Sequence, residues 1–351
     1  MKNIYQILPT IALGDGVSQQ AIEMERELNR VGYHCRTYAD SIVDEEIKKT
    51  VYFIKELPET TDNDVIIYHL STGSYIVERL LEMKGKLIIA YHNITPFFWY
   101  SKYDKNMERF CALGRRDMQM LVTRTDCCFA DSEFNARELK EVGYQCPIIV
   151  SPIIIDFDRF GKRKECRRDI ERSKNCNILF TGRVVPNKRI EKIIETFYYV
   201  KKYYLPQAVL NIVGSYSDDS PYYKKLRKYI DILGVKDVIF KGHVSEEELI
   251  SIYQDTDIYL SLSGHEGFCI PILEAMYFNI PILAYNSGAV AETMRGAGVL
   301  LDTLDSLVIA GVLCEIVKNN DLIGEIVAEQ QERLNDYIKS RDNKEWLKFI
   351  L

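Results

Sequence analysis

Short apolar runs separated by amphipathic segments set the rhythm of this chain. Residues 4–8 form a run suited to a buried strand, and a loop carrying Gly14-Asp15-Gly16 follows. Val17, Ala21, Met24, Leu28 and Val31 then recur at helical spacing until Gly32 breaks the pattern. Residues 65–69, 87–92, 127–131 and 148–151 read as further strands, with helices predicted near 75–83, 106–120 and 134–142. These strands are apolar throughout rather than alternating, as in a parallel sheet covered on both faces.

The rhythm breaks at residues 161–174, which are densely charged and lack an apolar face. The stretch reads as a solvated connection between domains, or as a basic patch meeting phospholipid or a phosphorylated acceptor. Beyond it the alternation resumes. Strands are expected over 178–181, 209–213, 238–241, 258–262, 282–284 and 299–301, with helices over 190–203, 222–233, 246–254, 272–277 and 307–318. Ser245 with Glu248 forms a capping-box signal. The predicted fold class is α/β, with two doubly wound domains in tandem. Ligands bind beyond the carboxyl ends of such strands, so two facing units would enclose an interdomain cleft.

Composition narrows the function classes. The chain has 351 residues, 47% hydrophobic and 27% charged, which suits two globular domains rather than a disordered segment. Its formal net charge of −6 leaves no global footprint for nucleic acid. The longest apolar runs, 65–68 and 87–91, fall far short of the ~20 residues that cross a bilayer. The start of the chain lacks signal-peptide organisation, and nine cysteines without C-x-x-C spacing suit buried, reduced thiols. A cytoplasmic location is therefore expected, with peripheral contact at the inner membrane face left open.

Four places carry candidate chemistry. In Glu266-Gly267-Phe268-Cys269-Ile270-Pro271-Ile272-Leu273-Glu274, a strand end and a small-residue turn precede a helix beginning near Pro271. The N–H groups of Gly267, Phe268 and Cys269 would lie at a helix N-terminus, a ready anion site. Glu266 and Glu274 repel an anion but accept hydrogen bonds from sugar hydroxyls. The combination suggests a nucleotide sugar; the alternative is one acid at a helix start and another on a solvated face. In Gly182-Arg183-Val184-Val185-Pro186-Asn187-Lys188, Arg183 and Lys188 can converge on one anion or simply decorate a basic surface loop. The Gly14-Asp15-Gly16 loop lacks the third glycine of G-x-G-x-x-G but permits close backbone approach. His69 and His92 close two strands. Asp156/Asp158 and Asp255/Asp257 offer the Asp-x-Asp spacing of a metal-bound diphosphate, though both read as turn and connection residues.

Together these segments resemble the retaining glycosyltransferases of family 4, which have the GT-B fold of two facing Rossmann-like domains. Glu266 and Glu274 match the E-x7-E motif, and Gly182 to Lys188 match G-R-x-x-x-x-K. Asp131-Ser132-Glu133-Phe134 and Gly242-His243-Val244-Ser245, with Leu249 and Tyr253, fall in the family's order. The resemblance covers most of the chain and is densest over 178–301. It implies a first domain of residues 1–160 plus about 335–351, because the last helix commonly crosses back, a second of 175–334, and a linker of 161–174.

The resemblance also implies roles. Arg183 and Lys188 would neutralise the donor diphosphate, and Glu274 would bind ribose hydroxyls. Glu266 with the amides of Gly267, Phe268 and Cys269 would hold the donor sugar. His92 would lie near that sugar, and Gly16 and Gly182 would line the donor site. Neither a cofactor nor a metal would be needed. The implied reaction is hexosyl transfer with retention, from a nucleoside-diphosphate sugar to a glycan or lipid-linked acceptor, in cell-surface polysaccharide or glycoconjugate synthesis. An epimerase of the same architecture and a non-catalytic nucleotide-sugar-binding subunit are the rivals. Two departures stand out: Arg189 occupies a position where the family commonly has Gly, and residues 152–156 lack the usual Asn-Gly before Asp156. The aromatic loop of residues 96–103 is a further candidate for acceptor or bilayer contact.

Overall fold

The apolar runs fold as parallel strands in two separate sheets. The structure is a computed structural model that describes residues 3–161, 176–342 and 344–350. The charged connection expected over 161–174 lies outside the described residues apart from Gly161. The chain divides into two units. One holds the described residues of Met1–Ser101, Lys105–Asp156 and Ser340–Leu351, and the other those of Lys102–Asp104 and Phe157–Lys339.

In the first unit the strands are β1 (Asn3–Ile11), β2 (His34–Ile42), β3 (Tyr52–Phe53), β4 (Val65–Leu70), β5 (Lys86–Tyr91), β6 (Cys127–Ala130) and β7 (Ile148–Val150). Their order is β3-β2-β1-β4-β5-β6-β7, and every pairing is parallel. Ile4 stands opposite both Cys35 and Val65, which places β1 between β2 and β4. The second unit holds β8 (Asn177–Thr181), β9 (Val209–Val213), β10 (Val238–Gly242), β11 (Ile258–Ser261), β12 (Ile282–Tyr285) and β13 (Val299–Leu301). Its order, β10-β9-β8-β11-β12-β13, repeats that of the first sheet except that the edge strand β7 has no counterpart. Each sheet therefore reverses direction beside its first strand, between β1 and β4 and between β8 and β11. Such a switch point leaves a crevice at the carboxyl edge because the flanking loops diverge to opposite faces.

Helices cover both sheets through apolar stripes. Gly16–Arg30 buries Ala21, Met24 and Leu28 at the predicted spacing, and Asp15 caps it by accepting from the Ser18 amide at 3.0 Å. In the second unit, Ile190–Tyr203 buries Ile190, Ile193, Ile194, Phe197 and Val200. Each such large side chain contributes roughly 1.5–3 kcal/mol of transfer free energy. Trp346 and Ile350, near the C-terminus, are buried in the core of the first unit with Ile4, Met24 and Phe129. Eight described cysteines are free thiols, seven of them buried. Among the described residues no helix is long and apolar enough to cross a membrane.

Several elements depart from the sequence reading, among them the short helix Val290–Met294, which was not expected. β2, with the sequence His34-Cys35-Arg36-Thr37-Tyr38-Ala39-Asp40-Ser41-Ile42, carries no apolar run, because it lies one strand from the sheet edge and leaves several side chains in water. β3 is only two residues long. The long helix Asn320–Asp342 was not anticipated either. It buries only Ile326, Gln330, Leu334 and Tyr337, a stripe too sparse to register as an amphipathic period.

Candidate functional site

The two loops singled out by their chemistry leave β8 and β11, the strands that flank the switch point of the second sheet. The β8 loop begins at Gly182, whose φ is 144°. The Gly182 amide donates to the Val213 carbonyl at 2.8 Å and the Val184 amide to the Ser215 carbonyl at 3.0 Å. Gly214 makes this possible. A Cβ there would sit 2.1 Å from the Gly182 carbonyl oxygen, so only glycine lets the two loops touch. The turn Pro186–Lys188 then aims Lys188 back, while Arg183 is exposed to solvent. Arg189 adopts φ 49°, a left-handed conformation that explains why glycine suits this position, and its guanidinium lies 5.1 Å from the Tyr285 ring centroid.

The β11 loop runs from Leu262 to the helix Ile270–Tyr277. Its backbone is bound on two sides. The Gly264 amide donates to the Asn187 carbonyl at 2.7 Å, and the Ala289 amide to the Glu266 carbonyl at 2.9 Å. Ser287 Oγ donates to the Ser263 carbonyl at 2.6 Å, and Thr293 Oγ1 donates to the Phe268 carbonyl. Gly288 is required here as well, since a Cβ would fall 2.2 Å from the Glu266 carbonyl oxygen. Cys269 caps the helix with φ 72° and ψ 67°, and Pro271 occupies its first turn. Burial pushes the Cys269 thiol well above its ordinary range, and Phe268 is buried too. These two residues can therefore offer a ligand their backbone rather than their side chains.

The loops meet through charge. Lys188 Nζ donates to Glu266 Oε1 at 2.6 Å and Oε2 at 2.8 Å, with only 19% and 9% of the two side chains exposed. The sequence suggested Lys188 and Arg183 on one anion; in the structure Lys188 is held by a carboxylate of the protein itself. Glu274, one turn into the helix, is buried rather than on a solvated face. Tyr253 Oη donates to its Oε2 at 2.7 Å, and Arg159 Nη2 to its Oε1 at 3.1 Å. Burial raises the Glu274 carboxyl above the usual carboxylate range, opposed by Tyr253 and Arg159. Gly182, Arg183, Lys188, Glu266, Gly267, Phe268, Cys269 and Glu274 thus all lie in the second unit, on or just after the two switch-point strands.

Gly16 and His92 belong to the first unit. Gly16 opens the helix Gly16–Arg30 at the carboxyl end of β1. His92 lies in a hydrogen-bonded row across four adjacent strands that sequence reading missed. Gln6 Nε2 donates to the Ala21 carbonyl at 2.9 Å, which turns Gln6 Oε1 toward His69 Nε2 at 2.8 Å. That oxygen only accepts, so His69 carries its proton on Nε2 and accepts at Nδ1 from His92 Nε2, 2.9 Å away. His92 Nδ1 faces Asp131 Oδ2 at 2.9 Å. Burial depresses His69 well below its ordinary value and raises Asp131 above its own. One proton is therefore shared between His92 and Asp131, and both His92 ring nitrogens are engaged inside the unit. No local sequence signal could have joined residues 6, 69, 92 and 131.

Three of the rival carboxylates lie at element boundaries. Asp257 Oδ2 accepts from the Asn177 amide at 2.8 Å, and Asp255 ends the helix Glu246–Gln254. Asp158 begins a single helical turn, Asp158–Phe160. Among the described residues no group of three His, Cys, Asp or Glu side chains could hold a metal ion.

The family model of the group 1 glycosyl transferases matches residues 162–341, just over half of the chain. The chain belongs to this family. Relatives of this group 1 member include an uncharacterized 41.2 kDa protein in the cps region of Klebsiella pneumoniae. It is 22% identical over 241 residues, which cover 66% of this chain and 62% of the relative. A GDP-mannose-dependent alpha-(1-6)-phosphatidylinositol monomannoside mannosyltransferase of Mycobacterium tuberculosis is 26% identical over 207 residues, or 55% of this chain and 52% of the relative. The matches span less than two thirds of these relatives' own lengths. Among solved structures, HepE of Anabaena in complex with UDP-glucose superposes with a TM-score of 0.74 at 15% identity, covering 97% of each chain. The fold is accordingly GT-B, with two Rossmann-like α/β units.

Proposed function

We propose that this chain transfers a sugar, with retention at the anomeric carbon, from a nucleoside-diphosphate sugar to a hydroxyl of a glycan or lipid-linked acceptor. Polysaccharide or glycoconjugate synthesis is the setting suggested by the names of its relatives. On this reading it belongs with the family 4 enzymes, and Glu266 and Glu274 are their E-x7-E pair. The observation that carries the reading is the Lys188–Glu266 pair beside the N-terminus of Ile270–Tyr277, at the switch point of the second sheet.

A diphosphate arriving there would meet Lys188, the exposed Arg183 and the amides that open the helix. Lys188 would turn from Glu266 to phosphate, and the freed Glu266 carboxylate would accept hydrogen bonds from the donor sugar. Glu274 has used one acceptor site on each oxygen, so it retains capacity for the two ribose hydroxyls. The acceptor oxygen would attack the anomeric carbon on the face the diphosphate leaves, through an oxocarbenium-like state. The C–O bond to phosphate breaks, the new glycosidic bond forms, and the acceptor proton passes to a phosphate oxygen. Cations and amides stabilise the charge that grows on the leaving group, so this reading needs no metal or cofactor.

On the same reading, the family resemblance would give His92 a place near the donor sugar and Gly16 one in the donor site. Phe97 and Phe98, which are exposed while the neighbouring Tyr100 is buried, would meet an acceptor or a bilayer surface. A cytoplasmic location, at or near the inner membrane face, belongs to the same proposal. The test is incubation with UDP-glucose, UDP-N-acetylglucosamine and GDP-mannose, followed by NMR of the product anomer. Release of nucleoside diphosphate with an axial, α-linked product supports the reading; inversion to a β-linked product contradicts it.

A further inference from the structure

Glu274 is the only charged residue of the helix Ile270–Tyr277, and among the described residues one cation reaches its carboxylate. That cation is Arg159, 115 positions earlier in the chain and just past the point where the chain passes into the second unit. We infer that Arg159 is a positioning residue for nucleotide recognition: its guanidinium, 3.1 Å from Oε1, fixes the direction in which the Glu274 carboxylate faces ribose. The inference rests on the donor-site reading above.

The turn that carries Arg159 is anchored to the helix that carries Glu274. Phe157 stacks on Tyr277 with ring centroids 5.1 Å apart and planes at 4°, and Phe160 packs on Tyr277 and Phe278 at 5.5 and 5.3 Å. Tyr277 Oη donates to the Gly161 carbonyl at 2.6 Å. Arg159 itself lies over the Phe160 ring at 4.5 Å, which holds the guanidinium plane in place. A surface arginine would need none of this. The fixed fork delivers Nη2 to Glu274 Oε1 at 3.1 Å, while Nη1 stands 3.9 Å from Glu246. Arg159 thus occupies one oxygen and Tyr253 the other, leaving the remaining lone pairs in a set orientation.

Burial alone would favour a neutral Glu274, which could accept fewer hydrogen bonds. Among the described residues the groups facing it are Arg159, Tyr253, Glu246, Cys269 and Tyr259, and of these Arg159 alone is cationic. Removing that charge lets the carboxyl keep its proton to higher pH.

The experiment compares the full chain with Arg159→Met and Arg159→Lys. Calorimetric titration uses UDP and GDP, their 2′,3′-dideoxy forms, and pyrophosphate, from pH 5 to 9. Arg159→Met should weaken the ribose-bearing diphosphate by about 10–100-fold, the scale of one lost interaction with a charged group. It should leave the dideoxy form and pyrophosphate nearly unchanged, and the low-pH loss of affinity should move to higher pH. Arg159→Lys should recover part of the difference. Equal weakening of ribose and dideoxy ligands, or an Arg159→Met chain too unstable to bind pyrophosphate, makes Arg159 structural and overturns the inference. A wild-type chain that binds neither UDP nor GDP overturns the donor-site reading, and this inference with it.

Discussion

Replacing Lys188 with Met strips the counter-charge from Glu266 without changing side-chain length much. The ammonium lies 2.6 and 2.8 Å from the two carboxylate oxygens. At that spacing and an effective dielectric of 20, the gross attraction is about 6 kcal/mol, most of it offset by the cost of desolvating both ions. Breaking one side of a buried pair costs roughly 3–5 kcal/mol, since the orphaned charge stays buried. Lys188 keeps some solvent contact, at 19% exposure, so the expected loss is about 2–3 kcal/mol. The Lys188→Met/Glu266→Gln double variant removes the orphan and should recover to within about 1 kcal/mol of wild type. Both tryptophans, Trp99 and Trp346, lie in the first unit, so fluorescence would miss the event. Differential scanning calorimetry of wild type, Lys188→Met and the double variant reports it instead. Transfer activity should be lost in both Lys188 variants although only one is unstable. A double variant no more stable than Lys188→Met would refute the argument, as would a Lys188→Met chain as stable as wild type.

Gly214→Ala should cost about 2 kcal/mol or more, because φ is 142° and the added methyl would meet the Gly182 carbonyl; an unchanged melting temperature would count against the loop contact. His69 should remain neutral, with its proton on Nε2, throughout pH 5–8 in a long-range 15N–1H NMR spectrum. Its folded value lies below the ordinary 6.5, so below pH 6.5 the unfolded chain binds a proton the native chain does not. Its contribution to stability is therefore present above pH 6.5 and lost as the pH falls below it. A His69 that titrates near 6.5 would break the proton assignment along Gln6, His69, His92 and Asp131.

Much of the fold was legible because buried parallel strands write themselves as apolar runs. β4, β5 and β8 could be read to within a residue or two, whereas β2, half in water, could not. The candidate site was legible as two loops, since Gly, Pro and charge cluster at the ends of β8 and β11. Their internal pairing was not. Charge alone placed Lys188 beside Arg183, whereas the turn at Pro186 brings it to Glu266, 78 positions away. Arg159 was invisible for a similar reason. Nothing near it in the chain marks it, and its role comes from aromatic packing against Tyr277 and Phe278 that only the folded unit displays.

The central claim is that the loops after β8 and β11 together hold a nucleoside diphosphate. Hydrogen–deuterium exchange of the full chain, with and without UDP or GDP at saturating concentration, addresses it directly. The account predicts slowed exchange at the amides of residues 182–188 and 264–270 with one of these ligands. Saturable binding that leaves both segments unprotected, or that protects only amides elsewhere, would contradict it.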